Sequence, residues 1–316
     1  MPSSDSRTFA SASFTSIVLW DMGIASEKRL LMRFAGGVTG VTFSPQGNLL
    51  ASVSKDRNVM LWNPKTGDPV RSLVGCQGAV QALAFSPDGR WLATGDWSMQ
   101  ESIRIWDVDS GKCLIATDPK LNYVMSVSFS SDGQYLAVGG TIGGCVWKLS
   151  KDAASWNILL EPIPHSRITT ERIGSLCFTP DSSLLAWVEE DMSFHLWDLA
   201  KGREVPPPVS KLDNYILSIW HGLGNLKGEK QGKCLALSLN GNEIWDMATG
   251  KRVGPVVYPV EFQVLPNEFK WGWCHAISPD QSRLAVGHAD GRLELWDLSK
   301  VRERLDGASL GWELAP

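Results

Sequence analysis

Gly307-Ala308-Ser309-Leu310-Gly311 is the string in this chain with a catalytic shape. A nucleophilic serine in such a turn needs a strand before it, a helix after it, and an acid and a histidine later in the chain. Five residues follow Gly311, with neither an Asp nor a His among them, so the string does not support a hydrolase. The five histidines, His165, His195, His221, His275 and His288, are scattered, and none stands with a second His or a carboxylate at ligand spacing along the sequence. Glu189-Glu190-Asp191 reads as a solvated acidic turn. No Gly-x-x-x-x-Gly-Lys phosphate loop occurs, so nucleotide hydrolysis is not supported. The six cysteines, Cys76, Cys113, Cys145, Cys177, Cys234 and Cys274, form no Cys-x-x-Cys pair. Most fall in apolar strand patterns, where a free Cys behaves as a small buried hydrophobe rather than a metal ligand or disulfide partner. No catalytic residue, metal site or cofactor is expected.

Composition narrows the partner class. With 30 basic and 34 acidic residues the net charge is −4, and neither sign gathers into a long run, which argues against nucleic acid. No segment reaches the ~18 apolar residues of a membrane span, and residues 1–20 lack the apolar centre of a signal peptide. The expectation is a folded cytoplasmic protein with no membrane partner. At 316 residues, 43% hydrophobic and 20% charged, it is either two domains or one large repetitive architecture.

The tryptophans decide for repetition. Seven of the fifteen close an apolar alternating run, at Trp20, Trp62, Trp106, Trp147, Trp197, Trp245 and Trp296, with spacings of 42, 44, 41, 50, 48 and 51 residues. A period of 40 to 50 residues fits stacked four-stranded units. A second marker keeps step. Turns led by Phe43, Phe85, Phe129, Phe178 and Ile277, with sequences such as Phe85-Ser86-Pro87-Asp88-Gly89, precede their tryptophans by 19, 21, 18, 19 and 19 residues. Pro before Asp and often Gly makes each a hairpin turn. One unit reads as an inner strand over Val80–Phe85, a turn over Pro87–Gly89, a second strand over Trp91–Gly95, a third over Ile103–Trp106 and an outer strand over Cys113–Ala116. Short links make the pairing antiparallel. Pro162, Pro164, Pro206, Pro207, Pro208, Pro255 and Pro259 fall where outer strands are expected, as suits a sheet edge.

These residues resemble the Trp-Asp (WD) repeat family of β-propellers over nearly the whole chain. Trp-Asp closes five units, while Trp62-Asn63 and Trp147-Lys148 depart from it. The resemblance implies an all-β, seven-bladed β-propeller of four-stranded antiparallel blades, one domain over residues 1–316, with each Trp packed between blades. It also implies a tetrad of His, Ser or Thr, Asp and Trp. The position nine residues before the turn is Phe34, Cys76, Lys120 or Thr169, never His, and Ser52, Asp56 and Trp62 keep the other three places in one blade only. The unit ending at Trp245 lacks the Ser-Pro-Asp-Gly turn, having a Gly- and Lys-rich stretch over Trp220–Lys233. Setting Trp20 on Trp62 puts Thr8–Ser13 on the second strand of the first unit, and Ala308–Leu314 is expected to supply its inner strand; the competing reading is a fragment of a longer array.

The family resemblance implies a non-catalytic scaffold or adaptor that presents protein or peptide partners. The alternatives are a sensor module detached from a signalling ATPase and, as an outsider, a propeller hydrolase. The latter should show acids or His along the channel, whereas Thr39, Gln81, Met125, Gly174 and Leu217 show none. The partner face is expected opposite the repetitive turns. There the loops vary and carry Trp97, Met99 and Gln100, then Tyr123, Arg172, Tyr215, Trp271 and Trp273 at inner-strand starts, with Lys55 and Arg57 at the rim. Trp273 reads equally as a cap on the core.

Overall fold

The computed structural model describes residues 37–151 and 169–206, except 180 and 192, together with eleven strands outside them. Of those strands only the backbone is described, apart from the side chains of Thr8, Ala10 and Ile17–Leu19. Every regular element among the described residues is a β-strand.

Alternation of apolar residues over short runs bounded by Pro, Asp and Gly makes strands, and the short links make them pair in order. Four complete four-stranded antiparallel sheets result. The Trp62 sheet holds β4 (Val38–Phe43), β5 (Leu50–Ser54), β6 (Val59–Trp62) and β7 (Pro69–Leu73). The Trp106 sheet holds β8 (Val80–Phe85), β9 (Trp91–Asp96), β10 (Ile103–Asp107) and β11 (Cys113–Thr117). The Trp147 sheet holds β12 (Val124–Phe129), β13 (Tyr135–Gly140), β14 (Gly143–Lys151) and β15 (Ile158–Pro162). The Trp197 sheet holds β16 (Ile173–Phe178), β17 (Leu184–Glu189), β18 (Phe194–Asp198) and β19 (Arg203–Val205).

The flanking units are described less fully. Before these sheets, β1 (Thr8–Ala12), β2 (Ser16–Asp21) and β3 (Ser26–Arg33) form three strands, with Thr8 opposite Asp21, so β1 takes the second-strand place read from the sequence. After them, β20 (Ile216–Leu223) pairs with β21 (Lys233–Ser238), and β22 (Glu243–Asp246) with β23 (Lys251–Pro255). β24 (Gly272–Ile277), β25 (Arg283–His288) and β26 (Leu293–Asp297) form a further three-stranded sheet. Inner strands of successive sheets lie side by side, β4 against β8, β8 against β12, β12 against β16, β16 against β20 and β20 against β24. The architecture is all-β, of antiparallel four-stranded sheets arranged as in a WD β-propeller. Ala308–Leu314, expected to close the ring, lies outside the described residues.

Period-two alternation explains how the sheets bind each other. Leu92 of β9 faces backward and packs with Leu61 and Trp106, while Trp91 and Ala93 face forward and pack with Leu136 and Trp147. Each of the four closing Trp side chains among the described residues thus fills the gap to the preceding sheet. Trp62 meets Ile17 and Leu19, Trp106 meets Val59 and Leu61, Trp147 meets Ile103, and the half-buried Trp197 packs against Ala137 and Val146. The prolines fit their expected places where they are described: Pro162 ends β15, Pro255 ends β23, and Pro206 follows β19. The other four lie outside the described residues.

Two expectations need correction. Ser52 accepts from Trp62 Nε1 at 2.8 Å, but Asp56 does not join them, because it takes the Ser54 hydroxyl and the Asn58 N–H instead. Nor is the pair confined to one sheet: Thr94 Oγ1 accepts from Trp106 Nε1 at 2.9 Å and lies 4.0 Å from Cys76 Sγ, which stands where the family has His. Ser and Thr are interchangeable acceptors, and only the strand register shows that Thr94 holds the place of Ser52. Burial of the cysteines also varies: Cys76 and Cys177 are buried, Cys145 half-buried and Cys113 exposed. None of these four is in a disulfide.

Candidate partner face

Each sheet has two ends. At the lower end the repeated turns close on themselves. Ser86 N–H donates to Trp91 O, the Ser86 hydroxyl donates to Asp88 Oδ1 at 2.6 Å, and Trp91 N–H returns a bond to Ser86 Oγ at 2.9 Å. Ser130-Asp132-Tyr135 and Thr179-Asp181-Leu184 repeat the pattern. The repeated residues therefore satisfy one another, which accounts for the repetition by folding alone. Two bonds between such turns also tie adjacent sheets, Gln46 Nε2 to Asp88 O at 2.7 Å and Asp132 N–H to Ser182 Oγ at 3.1 Å.

At the upper end, one backbone bond recurs in all four complete sheets. The residue after the second strand donates to the residue before the inner strand: Lys55 to Gly37, Trp97 to Ala79, Thr141 to Tyr123 and Glu190 to Arg172. This bond clamps two loops of each sheet together. Glycine permits the closest approaches. A Cβ at Gly78 would lie 2.5 Å from the Trp97 carbonyl carbon, and one at Gly140 would lie 2.6 Å from Leu121 O. One step into each inner strand the register slips, leaving Thr39, Gln81, Met125, Gly174, Leu217 and Trp273 as the extra residues of bulges. Trp273 thus occupies the same backbone place as the positions read as lying near the channel.

The structure brings most of the expected face together. Trp97, Met99, Gln100, Tyr123, Lys55 and Arg57 are exposed at the upper end, and Arg172 is partly exposed there. Trp97 and Tyr123, from neighbouring sheets, stand with ring centroids 5.7 Å apart, tilted by 44°. Arg57 reaches its turn position with φ of 69°. Arg172 Nη1 is 3.1 Å from Glu190 Oε1. Tyr215 and Trp271 lie outside the described residues, and of Trp273 only the backbone is described. Ile142 and Val74 were missed: both are exposed apolar residues in upper loops, but short alternating runs do not distinguish a loop apolar residue from the end of a strand.

A buried ion pair holds the most prominent of these loops. Asp96 and Arg104 have side chains only 1% and 4% exposed, and Arg104 Nη1 lies 3.0 Å from Asp96 Oδ2. The same carboxylate accepts from Gln77 N–H at 3.2 Å, from Ser98 N–H at 2.9 Å and from the Ser98 hydroxyl. Arg104 also donates to Glu101 O at 2.6 Å. Loop 97–102 is therefore tied at its start, its end and to the facing loop. Beneath it, burial first and the Asp96 charge second push the Cys76 thiol up to about 11, which keeps it protonated.

His195 has carboxylate neighbours that its place in the sequence does not show. Its Nδ1 is 2.6 Å from Glu204 Oε1 and its Nε2 is 3.6 Å from Glu189 Oε1, while the ring stacks on Trp187 at 5.0 Å. The carboxylates come from neighbouring strands, so their separation along the chain conceals them. Among the described residues no group of three or more His, Cys, Asp or Glu is placed to hold a metal. No helix among them is long and apolar enough to cross a membrane.

Comparison with known proteins agrees with this architecture. Residues 28–63, 67–107, 111–147 and 272–297 match the family described as WD domain, G-beta repeat. The chain is 28% identical over 249 residues to WD repeat and SOCS box-containing protein 1 of Homo sapiens, covering 61% of this chain and 54% of that protein. It is 27% identical over 211 residues to THO complex subunit 3 of Arabidopsis thaliana, covering 56% and 64%. A third relative, Protein LST8 homolog of Drosophila pseudoobscura pseudoobscura, is 30% identical over 115 residues, covering 34% of this chain and 36% of its own. The chain spans about a third to two thirds of the length of these curated relatives.

Proposed function

We propose that this chain, which belongs to the WD-repeat family, is one seven-bladed propeller that serves as a non-catalytic platform holding a protein or peptide partner on its upper end. One observation carries the assignment of the face. Of the six exposed large apolar residues among the described residues, five lie in upper-end loops: Val74, Trp97, Met99, Tyr123 and Ile142. The sixth, Val70, is on an outer strand, and the lower end has none of them. Exposed apolar surface gathered on one end is what an interaction site requires, and Trp and Tyr are among the residues that dominate such sites. The loops are also tied by the recurring backbone bond and, in the Trp106 sheet, by the Asp96 carboxylate, which lowers the ordering cost of binding.

The seven-blade reading rests on the seven closing tryptophans and is supported by β21 lying beside β22, as expected if the two pairs of strands form one unit. THO complex subunit 3 is by its name part of a complex, in keeping with a platform role. The test begins with capture of partners from the native host and their identification by mass spectrometry. Trp97→Ala, Tyr123→Ala and Tyr215→Ala are then compared with Lys65→Ala and Gln134→Ala, exposed at the lower end. Gln46 and Asp132 are unsuitable controls because both make bonds in the lower turns. Each effective upper change should weaken capture by about 2 kcal/mol. Loss in the lower-end variants alone would overturn the reading.

A further inference from the structure

We propose, resting on the upper end as the partner face, that the segment held there is an extended peptide with one apolar anchor, acidic residues on one side of it and basic residues on the other. The charges of the described upper loops are sorted by sheet. In the Trp62 sheet the turn exposes Lys55 and Arg57, while Asp56 is drawn inward by Ser54 and Asn58. That corner is basic. The Trp106 and Trp147 sheets carry Trp97, Met99, Tyr123 and Ile142, and their nearby charges face one another, Arg104 shared between the buried Asp96 and Glu101, and Asp118 with Lys120, which leaves one net negative charge. That middle is apolar and close to neutral. At the upper end of the Trp197 sheet Glu171, Glu190 and Asp191 are exposed against Arg172 alone among the described residues, and Glu189 is engaged by Trp187 and His195. That corner is acidic.

The two corners act separately. They lie three sheet spacings apart, which at ~10 Å per packed sheet is an arc of roughly 30 Å. The Debye length is about 8 Å at physiological ionic strength, so neither corner screens the other and the net charge of the chain is not what a ligand senses. About nine extended residues span the arc at ~3.3 Å each. A ligand acidic at the Trp62 end, apolar over Trp97 and Tyr123, and basic at the Trp197 end complements all three regions, while a uniformly charged ligand meets repulsion at one of them.

The test uses the full chain and fluorescein-labelled nonapeptides read by polarisation. The bipolar probe is Glu-Asp-Glu-Gly-Leu-Gly-Lys-Arg-Lys, and its comparators are acidic at both ends, basic at both ends, or carry Ala for Leu. The bipolar probe should bind roughly tenfold tighter than any comparator, and its affinity should fall between 50 and 500 mM salt. Lys55→Glu with Arg57→Glu should shift preference to the basic–basic probe, and Glu171→Lys with Glu190→Lys to the acidic–acidic one. A preference moved by neither pair, while Trp97→Ala and Tyr123→Ala still weaken binding, would overturn the charge sorting and leave the face in place. Binding indifferent to all these changes in folded variants would overturn the face as well. Absence of binding by every probe up to 1 mM would overturn the proposed ligand, leaving the platform reading to the captured partners.

Discussion

Removing the Asp96 carboxylate strips four bonds from the most prominent upper loop and leaves the Arg104 guanidinium buried. Breaking a buried pair on one side costs about 3–5 kcal/mol. The remaining acceptors of Arg104 are Glu101 O at 2.6 Å and the exposed Glu101 carboxylate at 3.5 Å, which soften but do not cancel that cost. Asp96→Ala should therefore destabilise the chain by about 4 kcal/mol. With an unfolding entropy near 2.1 cal/mol/K per residue, that is a fall in Tm on the order of 6 °C. Arg104→Met keeps three donors on Asp96 and should cost less, about 2–3 kcal/mol. The double variant removes the stranded charge, so it should cost about 2 kcal/mol less than the sum of the single ones. Urea denaturation followed by circular dichroism measures all three. A cost below 1 kcal/mol for Asp96→Ala, or additivity within ~0.5 kcal/mol, would refute the argument that this pair holds the loop.

Ser52→Ala and Thr94→Val each leave a buried tryptophan N–H without its acceptor and should cost about 1–3 kcal/mol by the same denaturation assay. Gly78→Ala drives a Cβ into the Trp97 backbone, so it should destabilise by about 1–3 kcal/mol and weaken partner capture together, read by melting and pull-down. Acid should destabilise the lower turns. Burial pushes Asp107 and Asp181 up, but hydrogen bonds from Ser110 and from Thr179 and Ser183 outweigh it, so both folded values lie below the usual carboxylate range. Their stabilisation is complete above the unfolded value near ~4 and is lost as pH falls through the folded ones, so urea midpoints should hold above pH ~5 and drop below pH ~4, less so in Asp181→Asn. Among the four described cysteines, thiol labelling of the native chain should reach Cys113 first and leave Cys76 and Cys177 unmodified until unfolding.

The tryptophan and Ser-Pro-Asp-Gly periods made the sheets legible from sequence, because strand alternation and turn chemistry are local. The unit over Val80–Phe85 to Cys113–Ala116 agrees with β8 to β11 to within a residue at each end. The upper end was legible for Trp97 and Tyr123, since variable loops between repeated strands must emerge there. What escaped depends on register across strands. Thr94 under Trp106, the Asp96–Arg104 pair, and Glu189 and Glu204 beside His195 are neighbours only once the ladder is formed. Closeness of Trp97 to Tyr123, 26 residues apart, likewise comes from packing of one sheet on the next.

Site-specific photocross-linking tests the central claim most directly. A photoreactive phenylalanine analogue placed singly at positions 97, 99 and 142, and at 65 and 134 on the lower end, is irradiated in the native host and the adducts are identified. The platform reading predicts that one partner is cross-linked from the upper positions and from neither lower position. Adducts to a common partner arising only from positions 65 and 134 would contradict it.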